Sequence, residues 1–173
     1  MALDLPEAER GALARWRDGL VAGRDDLRPV AEEALHVTLA FLGYRAEKEA
    51  SAIAEAIAPS AAEVPLLVPD EVVPLPPRRP RLFALDLGDP EGACGRLQQK
   101  VSHALEDGRF YKPEKRPFWP HITLARVKRD RRADPLPAEP PPLEPFRAAK
   151  LTLYRSILRP QGAQYEPLVA YEL

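Results

Sequence analysis

Two short segments of this sequence occur twice, in the same order and at nearly the same separation. The tetrapeptide Ala-Leu-Asp-Leu occupies residues 2–5 and again residues 84–87, an offset of 82 positions. His-Val-Thr-Leu-Ala at residues 36–40 returns as His-Ile-Thr-Leu-Ala at residues 121–125, an offset of 85 positions. Ordered matches at nearly constant spacing are typical of a duplicated supersecondary unit. The sequence therefore predicts two lobes of similar structure, one from each half of the chain.

Each half also contains an apolar pattern that is typical of an amphipathic helix. The apolar side chains recur every three to four residues in two series: Leu13, Trp16 and Leu20, and then Cys94, Leu97, Val101 and Leu105. A further helix is predicted over residues 47–58. Runs rich in β-branched and apolar residues predict strands at both His-containing segments and near residues 64–68, 81–87, 150–155 and 165–171.

The length of 173 residues accommodates one domain of ordinary size or two small lobes that share an interface. We predict a single bilobal unit over residues 1–173, with repeats that cover approximately residues 1–75 and 81–173. Whether the two lobes exchange chain is left open. Proline-rich residues 76–81 are the predicted crossover, and residues 139–143 a stiff surface loop.

The cysteine and hydropathy patterns bear on the compartment. Cys94 is the one cysteine, so the sequence excludes an internal disulfide framework and a Cys-based zinc cluster. Acidic residues near the amino terminus and the lack of a long apolar run predict neither a signal peptide nor a membrane span. We expect a cytoplasmic monomer that does not associate with a membrane.

The net charge of -1 hides an asymmetry between the two halves. Residues 1–77 carry a net charge of -7, and residues 78–173 carry +6. Residues 109–132 alone hold nine bases, Lys115 and Arg116 among them, and two acids. Such a cluster attracts phosphate, although charge runs also occur as solvated loops.

Two of the three histidines, His36 and His121, lie at equivalent positions of the repeat. Each is followed two residues later by a threonine, Thr38 or Thr123, and residues i and i+2 of a strand share a face. If the lobes are related by a pseudo-twofold axis, both pairs face one cleft. Two imidazoles there could serve as general acid and general base, while the hydroxyls bind phosphate oxygens.

These histidines have two other interpretations, as packing residues and as metal ligands. A lone strand histidine is commonly a hydrogen-bonded packing residue, but the repetition of the pair favours a catalytic role. Imidazole is also a common metal ligand. Because neither strand has a carboxylate or another histidine at ligand spacing, we predict no metal.

Five blocks of the sequence, taken in order, resemble the 2H phosphoesterase superfamily, whose defining feature is two His-x-Thr/Ser motifs. Within it they are similar to the bacterial RNA 2',3'-cyclic phosphodiesterases, also called 2'-5' RNA ligases. The blocks are residues 2–6, 36–43, 116–126, 153–156 and 164–167. The resemblance implies an α+β fold of two pseudo-symmetric lobes, each an antiparallel sheet with outer helices, and an active-site groove between them.

The resemblance also implies roles for single residues. His36 corresponds to the general acid and His121 to the general base, and Thr38 and Thr123 bind phosphate. Phe41 and Arg126, each five residues after its histidine, correspond to positions that hold the terminal nucleobase.

In a regular strand, a residue five positions after the histidine points to the core side. Phe41 and Arg126 can therefore reach the groove only if their strands bend or end before them. A buried, unpaired Arg126 would cost several kcal/mol, so we expect the strand to bend or end before it. For Phe41 a core position is the alternative. The first strand is also shorter than in the family, since Met1-Ala2 replaces its usual apolar start.

The implied activity is hydrolysis of RNA 2',3'-cyclic phosphate ends to 2'-phosphomonoesters, without cofactor or metal, with reversible 2'-5' RNA ligation as a secondary activity. The basic run with Lys115 and Arg116 is predicted to hold the RNA backbone. Two alternatives stay open. The substrate could be another cyclic nucleotide or a 2'-5' oligoadenylate, or the chain could be a non-catalytic nucleotide-binding module.

Overall fold

A computed structural model describes residues 1–137, 141–159 and 162–173. Three α-helices, α1 (Glu7–Val21), α2 (Ala50–Ile57) and α3 (Ala93–Asp107), accompany a nine-stranded sheet. The strands are β1 (Ala2–Asp4), β2 (Leu27–Pro29), β3 (His36–Thr38), β4 (Leu66–Leu75), β5 (Leu82–Gly88), β6 (His121–Val127), β7 (Phe146–Arg147), β8 (Lys150–Arg159) and β9 (Gly162–Glu172).

The strand order reflects the duplication seen in the sequence. The order is β7-β4-β5-β6-β3-β1-β8-β9, with β2 also paired to β6, and every pairing is antiparallel. Read outward from the centre, β3 corresponds to β6 and β1 to β5, so each His-x-Thr strand lies beside an Ala-Leu-Asp strand. At the centre Val37 pairs with Ile122, the equivalent residue of the other repeat. The two half-sheets are thus related by a pseudo-twofold axis between β3 and β6.

The halves of the chain exchange strands. β4 comes from the first half of the sequence but pairs with β5 of the second half. In return, β8 from the second half pairs with β1, and β9 continues that half-sheet. Each half-sheet is therefore completed by the other half of the chain.

The core lies on the helical side of the sheet. Val37 and Ile122 are fully buried there, in one cluster with apolar residues of α2 and α3. The apolar helix faces predicted from the sequence are confirmed: the buried members are Leu13, Leu20, Ile53, Ala54, Ile57, Cys94, Leu97, Val101 and Leu105. Because this face is apolar, strand alternation leaves the polar side chains of β3 and β6 on the opposite face.

Three segments differ from the expectation. The strand predicted at residues 64–68 continues to Leu75 through Pro69 and Pro74. In the described residues no strand pairs with the outer edge of β4 beyond Leu67, and an edge strand tolerates proline because its outward N–H has no partner. The short strands β2 and β7 are additional. Residues 139 and 140 of the predicted loop lie outside the described residues.

Candidate active site

One cleft of about 390 Å³ lies over the centre of the sheet, on the face away from the core. His36, Thr38, His121 and Thr123 all line it. Val37 and Ile122, which pair across the axis, face the core and are fully buried. The two predicted polar pairs are therefore brought together in a single site.

The register explains how the four side chains are arranged. With Val37 opposite Ile122 in an antiparallel pair, His36 is opposite Thr123 and His121 is opposite Thr38. The two histidines are then diagonal neighbours, which are typically about 7–8 Å apart. This spacing leaves room for one phosphate group between the imidazoles.

His36 is buried among aromatic rings. It is 8% exposed, and its Nδ1 has no hydrogen-bond partner among the described residues. The Tyr154 ring stacks on the imidazole at a centroid distance of 5.4 Å, and the Tyr165 ring meets it edge-on at 4.9 Å. Burial, with a smaller contribution from the Met1 ammonium group, lowers the pKa of His36 to about 4. Its imidazole is therefore neutral at pH 7 in the free protein.

His121 is held differently. Its Nδ1 lies 2.8 Å from the Trp119 carbonyl oxygen, and the Trp119 ring stacks on the imidazole at 4.2 Å. A carbonyl oxygen only accepts hydrogen bonds, so Nδ1 carries the proton in the neutral ring. Nε2 is then unprotonated and can accept a proton, which is what a general base requires.

A β-bulge turns Arg126 into the cleft. The pairing of β6 with β5 shifts by one residue, because Phe83 pairs with Ala125 while the next residue, Ala84, pairs with Thr123. Leu124 is the extra residue, and both it and Ala125 are buried. A bulge reverses the alternation of side chains beyond it. Arg126 is therefore exposed and lines the cleft, as the expected bend in this strand requires.

Among the described residues, the charged side chains that line the cleft are those of four arginines and one acid: Arg17, Arg28, Arg126, Arg159 and Glu33. Arg17 is 5% exposed and donates to the Val30 carbonyl oxygen and to Asp18. The surplus of positive charge makes the cleft attractive to phosphate. Sequence reasoning missed Arg17, Arg28 and Arg159 because they belong to no repeated motif and meet only in the folded chain.

A profile of the 2'-5' RNA ligase superfamily matches residues 5–158, including both His-x-Thr strands. The chain belongs to this superfamily. An RNA 2',3'-cyclic phosphodiesterase of Aeropyrum pernix is 32% identical over an alignment of 167 residues, and the match covers 91% of this chain and 93% of that protein. The resemblance found in the sequence is thus confirmed.

Solved structures of similar proteins agree with membership in the 2'-5' RNA ligase superfamily. A Thermus thermophilus crystal structure is 30% identical with a TM-score of 0.81, and the match covers 99% of this chain and 95% of that one. LigT of E. coli, crystallised with 3'-AMP, is 27% identical with a TM-score of 0.80 over the same shares. The predicted α+β fold is confirmed.

Three further residues predicted for this superfamily site are not among those lining the cleft. Phe41 is 70% exposed, so the alternative that placed it in the core is wrong. Lys115 is exposed in the loop before β6. Arg116 is exposed too and lies 3.5 Å from Glu114. Their contacts with a nucleobase or with RNA stay predictions.

The described residues lack both a metal-binding cluster and a membrane-spanning helix. They contain no group of three or more His, Cys, Asp or Glu side chains arranged to hold a metal ion. None of their helices combines the length and apolarity needed to cross a bilayer.

Proposed function

We propose that this protein hydrolyses RNA 2',3'-cyclic phosphate ends to 2'-phosphomonoesters, with His36 and His121 as acid and base. The observation that carries the proposal is the pair of His-x-Thr strands that face one arginine-lined cleft across a pseudo-twofold axis. Membership in the 2'-5' RNA ligase superfamily and the named activity of the Aeropyrum pernix relative support it.

The reaction needs a base on one side of phosphorus and an acid on the other. Nε2 of His121 takes a proton from water as the water oxygen attacks phosphorus. The bond to the ribose 3' oxygen breaks in line with this attack, and His36 gives that oxygen a proton. The products are a 3' hydroxyl and a 2'-phosphate, and one proton has moved from His36 to His121. The same displacement, with an RNA 5' hydroxyl in place of water, would join RNA ends by a 2'-5' bond and free the same 3' hydroxyl.

Threonine and arginine side chains stabilise the charge that develops during this reaction. The Thr38 and Thr123 hydroxyls donate to the two non-bridging phosphate oxygens, and Arg126 adds positive charge from the bulged end of β6. Donors that are already in place when charge develops lower the barrier without reorganisation. The buried Arg17 contributes a fixed charge at the cleft wall.

The acid role of His36 depends on bound substrate. Burial keeps this imidazole neutral in the free protein, since its pKa is about 4. A phosphate anion in the cleft favours the imidazolium form, because an opposite charge nearby raises the pKa of a histidine. Substrate binding is therefore coupled to the uptake of the proton that His36 later donates.

Recognition beyond the reacting phosphate falls to residues around the cleft. Arg126 and Phe41 hold the terminal nucleobase, and Lys115 and Arg116 contact the RNA backbone further along the chain. We also expect the protein to act as a cytoplasmic monomer.

The test uses an RNA with a 2',3'-cyclic phosphate end. The wild-type protein should convert it to a 2'-phosphate, while His36→Ala and His121→Ala should each lose about 10²- to 10⁴-fold in rate, the usual contribution of one acid or base. His103→Ala is the matched control, because His103 is an exposed histidine on α3. EDTA should leave the rate unchanged.

Several outcomes would contradict the proposal. A 3'-phosphate product would show that the 2' oxygen, and not the 3' oxygen, is the leaving group. Activity that disappears with EDTA and returns with a divalent cation would require a metal in the mechanism. Wild-type turnover of small cyclic nucleotides but not of RNA would move the substrate to the alternative class.

A further inference from the structure

The aspartates of the repeated Ala-Leu-Asp-Leu segments lie directly beside the two histidines of the cleft. Asp4 on β1 pairs in register with His36 on β3. Asp86 on β5 pairs in the same way with His121 on β6. Neither aspartate is among the residues that line the cleft. Each is thus a neighbour of a catalytic histidine without being placed to touch the substrate.

In the second half, Asp86 reaches His121 through a tryptophan. Asp86 Oδ1 accepts a hydrogen bond of 2.6 Å from Trp119 Nε1 and another of 2.8 Å from the Leu87 N–H. The indole stacks on the His121 imidazole, with ring centroids 4.2 Å apart and planes 16° from parallel. The carbonyl of the same tryptophan holds His121 Nδ1. Trp119 therefore fixes both the plane and the tautomer of His121.

In the first half, Asp4 reaches His36 through a tyrosine. Asp4 Oδ1 accepts a hydrogen bond of 2.9 Å from the Tyr154 hydroxyl, and Oδ2 accepts one of 2.7 Å from Thr152 Oγ1. The Tyr154 ring stacks on His36 at 5.4 Å, with planes 18° from parallel. Because His36 Nδ1 has no hydrogen-bond partner in the described part of the chain, ring packing is what orients this imidazole.

The two arrangements match although the aromatic residues are not part of the repeat. Trp119 precedes β6, whereas Tyr154 lies on β8, a strand that reaches this half-sheet only through strand exchange. The duplication explains why both halves have the aspartate, but it does not explain why an aromatic ring lies between each aspartate and its histidine. A shared need to orient both imidazoles explains the two rings.

We propose that Asp4 and Asp86 are positioning residues that anchor Tyr154 and Trp119 against His36 and His121, and so set the orientation of both imidazoles for the reaction. The inference rests on the proposed acid and base roles of the histidines. An imidazole that leaves its productive geometry by a small angle costs more in rate than in substrate affinity, since the threonine and arginine contacts to the phosphate remain.

The test is a double-mutant cycle on Asp86 and Trp119. Asp86→Ala removes the acceptor, and Trp119→Phe keeps an aromatic ring but removes its N–H. Each should lower kcat about tenfold to a hundredfold with little change in KM, the size of effect expected from a displaced catalytic group. The double variant should lose no more than the larger single loss, because both changes break one connection. Asp86→Asn should retain most of kcat, since its amide oxygen still accepts.

The same design applies to the first half. Tyr154→Phe keeps the stacked ring and removes only the hydroxyl that Asp4 holds. It should lower kcat with little change in KM. Tyr154→Phe is preferred to Asp4→Ala, because Asp4→Ala would also leave the buried Thr152 hydroxyl without its acceptor.

A second readout does not depend on turnover. The imidazole ¹⁵N NMR signals of His121 should broaden or shift in Asp86→Ala and remain as in the wild type in Asp86→Asn. Exposed His103 is the internal control and should not change.

Four results separate the possible failures. Additive losses in the double variant, or losses that follow only the fraction of unfolded protein, would overturn the positioning role. So would His121 signals that are identical in wild type and Asp86→Ala. The wild-type protein could instead be inactive on cyclic phosphate ends while the His121 signals still respond to Asp86→Ala. That result would reject the proposed function but would support the anchoring of Trp119 by Asp86.

Discussion

At the scale of single residues, His36 and His121 are equivalent in sequence but differ in environment. His36 is 8% exposed and His121 is half-buried. His121 has a backbone carbonyl at Nδ1, whereas His36 Nδ1 has no hydrogen-bond partner in the described stretches of the chain and its ring packs against Tyr154 and Tyr165. The repeat contributes the same imidazole twice, and the residues outside the repeat make one buried and the other a preformed acceptor. The difference suits an acid and a base that act on opposite sides of one phosphate.

The pH profile of kcat/KM tests the environment of His36. This profile reports pKa values of the free protein, and burial lowers the pKa of His36 to about 4. A general acid must be protonated to act, so the high-pH limb reports loss of the His36 proton. We expect this limb to lie at higher pH in kcat, which reports the complex, than in kcat/KM, because bound phosphate raises the pKa of His36. Steady-state kinetics from pH 4 to pH 9, with His103→Ala as control, would check this. High-pH limbs that coincide in kcat and kcat/KM would contradict proton uptake by His36 on substrate binding.

The same shift makes stability depend on pH. The pKa of His36 is about 4 in the folded chain, against a value of 6.5 without burial. Between these values the unfolded chain binds more protons, so the free energy of unfolding decreases as the pH is lowered. At about 1.4 kcal/mol for each pKa unit, the loss between pH 7 and pH 4.5 is about 2 kcal/mol.

Urea unfolding of the wild type and of His36→Gln at these two pH values isolates this contribution. The variant should lose less stability on acidification than the wild type by about that amount. Equal losses in both proteins would show that His36 does not titrate between the folded and unfolded states as proposed.

At the scale of elements, the bulge in β6 decides what Arg126 can do. Regular alternation would direct this side chain into the core, and the extra residue Leu124 directs it into the cleft instead. A side chain in the cleft can neutralise the phosphate that binds there, whereas a side chain in the core cannot. Arg126 therefore tests whether the irregular strand serves binding.

We expect Arg126→Met to weaken RNA binding and to reduce the salt dependence of affinity. Loss of one phosphate contact on a single strand lowers the slope of log K against log salt by about 0.7. Titration of the RNA product at several salt concentrations measures this slope. Arg96→Met is the matched control, because Arg96 lies on α3, pairs with Glu63 and is not a cleft residue. Equal slopes for Arg126→Met and the wild type would leave the bulge without a role in RNA binding.

The elements that could be predicted are those with their own periodicity. The helices around Leu13 and Leu97 and the strands after residue 150 have clear apolar patterns, and the structure confirms them. β2 and β7 are three and two residues long, too short for any periodicity, and they exist because longer strands lie beside them. The length of β4 was missed because prolines argue against a strand unless its edge is known to be free.

At the scale of the whole molecule, the duplication explains why so much of the site could be predicted. His36 and His121 and their threonines meet because equivalent strands pair across the axis, and that symmetry is visible in the sequence. Arg17, Arg28 and Arg159 belong to no repeated motif, and they reach the cleft from three separate elements. Strand exchange brings β8 and β9 to the first half-sheet, so Tyr154 and Tyr165 reach His36 from more than a hundred residues away.

Strand exchange also predicts how the protein unfolds. Each half-sheet contains strands from both halves of the chain, so neither lobe can lose its structure while the other keeps its strands. The two tryptophans report on the two halves, because Trp16 lies on α1 and Trp119 precedes β6. Trp16→Phe and Trp119→Phe each leave one tryptophan. In each variant, the fluorescence of that tryptophan and the far-ultraviolet circular dichroism should change at the same denaturant concentration, as a single cooperative transition requires. If the fluorescence of either variant changed first, one lobe would be unfolding while the other retained its strands, and the shared half-sheets would not be what couples them.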